Sequence, residues 1–407
     1  MQGHARSGPA TSRHERASPP RVRLVTGRRA CLAAEPLWRA LYDSNAPSAA
    51  FLSWPWIEES IVALPTSAQP CLAVAGDEYG PRFVLPLRLD GVAGFTIASP
   101  LTTPLAQYFD GIGTPVPGVL DAIGDALSRE TSATVLRLSH VREDAGIAGW
   151  LDDMRTTVTP RGGAVAAELA GLPSVDAYLA TLSTSIRKRT RQRRRQLGEL
   201  GKVAFSVVPG HQAEDTTSLL IRMKSDWLGS RGLVSRAFAD RRMLATLARV
   251  VAAAESGSVV SALTLDDRVI AGEIGFVQAS RYVAYLGAYD QAFARHGVGR
   301  LQIFETISWC FENGIRTYDM LAPADPYKCE LAPGADPVSV HDCDLAFTTA
   351  ADVYMRVARG SITAARRVHA AMPVGLRRAG HAVIGRPGGA IAGAIGMGSL
   401  MLLGSME

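Results

Sequence analysis

Several polar groups in the last third of the chain have the residue types that acid, base and anion chemistry requires. Glu273 interrupts the apolar run VIAGEIGFV. A carboxylate there is either buried, with a raised pKa suited to a general base, or on an edge strand facing water. Tyr318, Asp319, Tyr327 and Lys328 cluster in RTYDMLAPADPYKCEL, at and just past a strand-like run. Strand ends and the loops that follow them are where such domains carry active-site groups. Asp319 is a second candidate base, or a cap or pairing group within the fold. Lys328 is one of four lysines among 43 basic residues. Its ammonium would neutralise a phosphate or an oxyanion, or else face solvent.

Two further constellations point to an anionic ligand. Gly297-Val298-Gly299 stands immediately before a helical pattern, with Arg295 and Arg300 as flanking charge. Glycine permits close backbone approach, and the first helical N–H groups are unpaired donors at the positive end of the dipole. No third glycine or ribose-binding acid follows, which excludes a dinucleotide-binding fingerprint. Gly111-Ile112-Gly113 lies at a matching place earlier in the chain, but Thr114 to Pro117 intervene before its helix, making it the poorer phosphate site. In IRKRTRQRRRQ, seven of the nine positions from Arg187 to Arg195 are basic. A helix capped by Ser174 and continued through this run would set Arg187, Arg191 and Arg194 or Arg195 on one side, a cationic ridge for a polyanion or a solvated face.

These groups need elements to hold them, and the chain supplies the same series twice. Residues 71 to 89 read as a hairpin around Asp-Glu-Tyr-Gly, followed by an apolar run, a long loop, the helical GVLDAIGDALSRE and the strand TVLRLSHV. Residues 258 to 277 read as a hairpin around Asp266-Asp267, followed by RYVAYLGAY, a glycine loop, the helical RLQIFETISWCFEN and the strand RTYDML. The expected fold class is therefore α/β (α+β), with two similar units, each a mixed, mostly antiparallel sheet flanked by helices. The expected boundaries are a disordered basic extension over 1–20, one unit over 21–165, a second over 166–348, and a tail over 349–407.

The formal net charge is +5, and from residue 351 onward seven arginines face only Asp352 and Glu407, so the tail carries the excess. A neutral body argues against a general nucleic-acid binder. The uncharged run GGAIAGAIGMGSLMLLG at 388–404 is short and glycine-rich for a spanning helix; a loosely packed tail, or peripheral contact with an anionic membrane, is the reading. No signal-peptide core is visible at the N-terminus, and five scattered cysteines without a CxxC pair imply a reducing, cytoplasmic setting and no structural zinc. GxSxG, HExxH and Walker motifs are lacking. Direct transfer between two bound substrates fits this inventory better than covalent or metal catalysis.

Taken in order, SVDAYLATLSTSIRKRTRQRRRQL, LLIRMKSDW and the stretch from RVIAGEIGFV to PYKCEL resemble the CelD/BcsL-type acyltransferases associated with cellulose biosynthesis, within the GNAT superfamily. The resemblance spans roughly 25 to 348 and is strongest from 174 to 330. It implies tandem GNAT folds related to the FemAB aminoacyltransferases, and acetyl-CoA as co-substrate with no metal. It also implies a CoA pyrophosphate site at Gly297, Val298, Gly299 and Arg300, with Tyr327 and Lys328 contacting an anionic substrate. The implied acceptor is an amine or hydroxyl of an amino sugar, polysaccharide or similar small molecule. Transfer from aminoacyl-tRNA, with the arginine ridge on the tRNA, and a non-catalytic accessory protein of polysaccharide synthesis are the alternatives.

Overall fold

The central strands do not alternate between apolar and polar residues. Ile270 to Phe276 is an unbroken buried run, as are Leu72 to Ala75 and Phe83 to Leu87. Strands buried on both faces must be covered on both faces, so each sheet lies inside a layered α/β unit.

The computed structural model describes residues 20–373 and 375, apart from 44, 47, 153, 154 and 234. In chain order the strands are β1 (Arg21–Thr26), β2 (Ala68–Asp77), β3 (Gly80–Val92), β4 (Phe95–Pro100), β5 (Ile112–Gly113), β6 (Val135–Arg142), β7 (Thr156–Ala164), β8 (Ala166–Glu168), β9 (Val203–Pro209), β10 (Ser258–Leu265), β11 (Arg268–Gln278), β12 (Arg281–Tyr289), β13 (Thr317–Asp319) and β14 (Val338–Ala346). The helices are α1 (Arg28–Leu32), α2 (Glu35–Leu41), α3 (Trp54–Ala63), α4 (Val119–Glu130), α5 (Val175–Thr181), α6 (Thr184–Gly198), α7 (Glu214–Arg231), α8 (Arg236–Ala239), α9 (Arg241–Ala252), α10 (Val298–Glu312), α11 (Pro326–Leu331) and α12 (Thr349–Ala371).

The repeated series is present in both halves. β2, β3 and β4 form an antiparallel meander, α4 crosses over, and β6 joins β4 in parallel. β10, β11 and β12 form the second meander, α10 crosses over, and β13 joins β12 in parallel. The first sheet has the order β1-β2-β3-β4-β6-β14-β7 with β5 on β3, and the second has the order β8-β13-β12-β11-β10-β9.

Three features depart from the sequence expectation. β14, counted with the second unit, pairs antiparallel with β6 and β7 of the first sheet, so the chain returns to its first half after completing its second. The helix expected to run from Ser174 through the arginines is two helices: Ser174 caps α5, the chain turns at Leu182, and Ser183 caps α6 by accepting from the Ile186 amide. The start of the expected tail is α12, packed on the first sheet through Ala351, Met355 and the stacking of Tyr354 on Phe95 at 4.8 Å. The extension before residue 20 and the apolar run at 388–404 lie outside the described residues. Within the described residues no helix is long and apolar enough to cross a membrane.

Gly111 and Gly113, the weaker of the two glycine pairs, have a packing role. A Cβ on Gly111 would overlap the Phe83 ring, and one on Gly113, at φ 81°, would overlap the Arg82 carbonyl, so glycine is what lets β5 lie on β3.

The halves share a core. Phe51, Trp56 and Tyr108 pack with Leu220, Phe276 and Leu286 across the two sheets, and Trp56 meets Phe276 and Tyr285 with ring centroids 5.4 and 5.8 Å apart. Each such ring, fully buried, contributes about 1.5–3 kcal/mol by transfer from water. This shared core fixes the first sheet against the strands that carry the candidate site.

Candidate active site

β12 is paired along its whole length with β11 but meets β13 only over Arg281 to Val283. Beyond that point the two strands diverge, and Tyr285 is an extra, bulged residue between Leu286 and Ala284 in the β11 register. A bulge bends its strand and leaves backbone groups unpaired. Among the described residues the edge of β12 beyond Val283 therefore has no strand partner on the β13 side, and its last residue, Tyr289, lies beside Gly299 at the start of α10.

That helix start is electropositive and uncapped. Gly297 precedes it in a left-handed conformation, φ 62°, with no side-chain cap and no acid in the first turn. The Arg193 guanidinium of α6 lies over Gly297, where a Cβ would come within 2.5 Å of its nitrogen. Burial and the neighbouring charges of Arg300 and Arg189 push the Arg193 pKa down. Cations gathered at the positive end of a helix dipole repel one another and the helix alike, an arrangement that a bound anion would relieve. Arg300 is anchored by Glu330 at 2.9 Å, whereas the exposed Arg295 reaches His296 at 3.0 Å. Val298 is buried, so only its backbone is available to a ligand, and the Gly299 Cα faces the Tyr289 ring.

Of the ridge residues, Arg191 is exposed, and Arg187 is half-buried with a donor on Thr184 Oγ1. The residues of α6 that reach α10 are Arg193, over Gly297, and Arg194, which pairs with Glu305 at 3.2 Å. Ile186 and Leu197 are the buried positions of α6, and Arg193 falls between them at helical spacing, a signal available in the sequence.

Glu273 is buried, on β11 opposite Gly287 of β12. Tyr282 and Tyr318, stacked at 5.2 Å, both donate to its Oε1, at 2.9 and 2.8 Å. Burial raises its pKa from 4.5 to about 7, against the opposing effect of the Tyr318, Tyr282 and Gln302 hydrogen bonds. Its other oxygen would lie 3.7 Å from a Cβ on Gly287, and Gly287 is exposed. The missing side chain there leaves the carboxyl an approach from the strand face. A carboxyl balanced near neutrality can take a proton from an acceptor amine or hydroxyl.

Asp319 and Lys328 are held differently. Asp319 is fully buried between the two halves, accepting from Tyr108 Oη at 2.8 Å, Arg281 at 3.1 Å and the Leu321 amide at 2.8 Å, with Arg142 at 3.7 Å. Its oxygens are committed to internal donors. Lys328 is buried, and its ammonium donates to the carbonyls of Pro323 at 2.9 Å and Leu321 at 3.2 Å, fastening the loop after β13. Burial lowers its pKa, which Asp325 and Asp319 counteract. Removing the ammonium strands two loop carbonyls, so Lys328→Met is expected to lower stability by about 1–3 kcal/mol, read from urea unfolding. Unchanged stability would show that the lysine does not hold the loop. Tyr327, on the same helix α11, is partly exposed, with its hydroxyl pKa raised to about 12 by burial and by Asp325. No group of three His, Cys, Asp or Glu among the described residues could hold a metal ion.

Residues 184–329 match the family described as acetyltransferase (GNAT) domain, a stretch that spans α6, the strands β9 to β13, α10 and the first residues of α11. Among solved structures, FemX aligns at 12% identity with a TM-score of 0.54, covering 77% of this chain and 96% of its own. A conserved protein of unknown function from Bacteroides thetaiotaomicron aligns at 12% identity with a TM-score of 0.52, covering 77% of this chain and 97% of its own. A tandem GNAT protein from the clavulanic acid biosynthesis pathway aligns at 13% identity with a TM-score of 0.44, over 80% of this chain and 98% of its own. No curated protein sequence matches the chain. At these identities the first two structures speak for the fold alone, and they extend the likeness over both halves.

Proposed function

We propose that the chain transfers an acyl group from an acyl-CoA thioester, acetyl-CoA in the simplest case, to an amine or hydroxyl of an amino sugar, polysaccharide or similar acceptor. The observation that carries this reading is the Arg193 guanidinium lying over the uncapped start of α10, whose first turn also holds Arg300, beside the free edge of β12. The helix amides and guanidinium groups would receive the CoA pyrophosphate, and the free strand edge would receive the extended pantetheine arm through backbone hydrogen bonds. Glu273 would take the proton of the acceptor as its nitrogen or oxygen attacks the thioester carbonyl. The new bond forms at that carbon, the carbon–sulfur bond breaks, and the CoA thiolate leaves. The resemblance to CelD/BcsL-type acyltransferases supports a saccharide acceptor.

Calorimetry with CoA tests the donor assignment. In Arg193→Gln/Arg300→Gln the affinity is expected to fall by about tenfold or more, because charge-assisted bonds to phosphate are lost. CoA binding unchanged in that folded variant would remove the site. Transfer from aminoacyl-tRNA is the second reading, favoured by the exposed outer face of α6, where Lys188, Arg191 and Arg195 stand clear of the domain. tRNA affinity with a steep salt dependence would identify it.

A further inference from the structure

Among the described residues three glycines lie in the strands of the second sheet, and two of them are required by packing. A Cβ on Gly272 would overlap the Ser261 carbonyl at 2.4 Å, and one on Gly275 would enter the Tyr282 ring at 2.2 Å. The third, Gly287 of β12, is explained by neither packing nor backbone. Its φ is not left-handed, and a Cβ built on it would meet, outside its own chain neighbours, a single heavy atom within 4 Å, Glu273 Oε2 at 3.7 Å. That is ordinary van der Waals contact, so alanine would fit there without strain. A glycine inside a strand costs backbone entropy and packs nothing, and one that the fold does not require marks a place where a ligand comes close.

The surroundings of Gly287 say which ligand atom that would be. The register sets Gly287 opposite Glu273, so the carboxyl and the open Cβ position share one face of the sheet. Gly287 is exposed while Glu273 is only 4% exposed, and the space over the glycine leads from solvent to the carboxyl. Oε1 is taken by the hydroxyls of Tyr282 and Tyr318 at 2.9 and 2.8 Å, and Oε2 is the oxygen turned toward that space. A nitrogen or oxygen donating to Oε2 at about 2.7–3.2 Å would stand just inside the place a Cβ would take. Gly287 also belongs to the part of β12 beyond Val283, where no strand pairs on the β13 side, so a thioester on that edge would lie beside the same residue.

We infer that the space over Gly287 seats the attacking nitrogen or oxygen of the acceptor, with its hydrogen donated to Glu273 Oε2, and that Gly287 is the position that decides whether an acceptor reaches the carboxyl. That the seated atom is an acceptor rests on the acyl-transfer reading; that the seat is the way to Glu273 does not.

The test compares the full chain with Gly287→Ala and Gly287→Val, the first lining the seat and the second filling it. Folding is expected to hold in both, since a side chain on an exposed strand position favours the extended backbone. Carbon-13 NMR of the carboxyl follows the titration of Glu273, whose titratable neighbours Tyr282, Tyr318, Cys310 and Tyr327 are all kept neutral at neutral pH by burial. Cutting the carboxyl off from water is expected to raise its midpoint from about 7 by about one pH unit in Gly287→Val, and by less in Gly287→Ala. With acetyl-CoA and glucosamine, kcat is expected to fall at least about tenfold in Gly287→Val, while CoA affinity by calorimetry changes less than about threefold because CoA is held at the start of α10. A midpoint unmoved in Gly287→Val overturns the seat. So does a wild-type kcat in that variant, or a loss of CoA affinity in step with the rate, which would put Gly287 on the path of the donor. Failure of the wild-type chain to bind CoA or to acetylate glucosamine would go against the transfer reading, and a midpoint raised by Gly287→Val would then leave the way to Glu273 standing.

Discussion

An Asp319→Ala chain is expected to lose about 3–5 kcal/mol of stability, because one buried carboxylate holds cationic and hydroxyl donors from both halves of the molecule and its removal leaves them uncompensated. Tyr108 and Arg142 come from the first half, Arg281 from the second, and all converge on Asp319 beside the shared core. Arg142 lies 4.7 Å over the Tyr108 ring and is forked onto Asp144, so it has little freedom to turn toward water once its second acid is gone. Asp319→Asn keeps an acceptor for Tyr108 and removes the charge, so an intermediate loss is expected. Urea unfolding at neutral pH measures both. Wild-type stability with abolished transfer would instead return Asp319 to the role of base that its place at the end of a strand first suggested.

What could be read from the sequence was local, and what could not was long-range. The hairpins, the two crossover helices and the parallel closing strands are each written in contiguous residues, so the tandem arrangement was legible. The return of β14 to the first sheet was not, since Val338–Ala346 reads as a strand whose partners lie about 200 residues earlier. The Asp319 contacts were hidden for the same reason: Tyr108 is 211 positions away. The break between α5 and α6 had a visible cause, because Ser183 can compete for backbone amides as a cap, but an apolar stripe from Val175 to Ile186 masked it. Arg193 was obscured by abundance. In a run of seven cations only the spacing from Ile186 and Leu197 singles out the one that lies over Gly297.

Glu273→Gln is expected to lower transfer by about 10²–10⁴-fold, the range over which a positioned general base acts. The same substitution should abolish a pH dependence of folding. Burial raises the Glu273 pKa from 4.5 to about 7, so in that window the folded protein keeps a proton that the unfolded chain releases. Its contribution is complete below about pH 4.5 and is lost as the pH rises through about 7. Over that interval wild type is expected to lose roughly 3 kcal/mol relative to Glu273→Gln, whose amide does not titrate. Asp110, also raised by burial to about 6, titrates in both chains and cancels in the difference. Transfer moves the other way, because only the ionised carboxylate accepts a proton, and the wild-type rate should rise through pH 7 as stability falls. Denaturant unfolding and initial rates, each followed from pH 5 to about 8 across the window set by Glu273, separate the two effects. A Glu273→Gln enzyme with the wild-type rate and pH profile would move the base elsewhere, and loss of the stability difference alone would mean that the carboxyl is already ionised in the folded protein, held by Tyr282 and Tyr318.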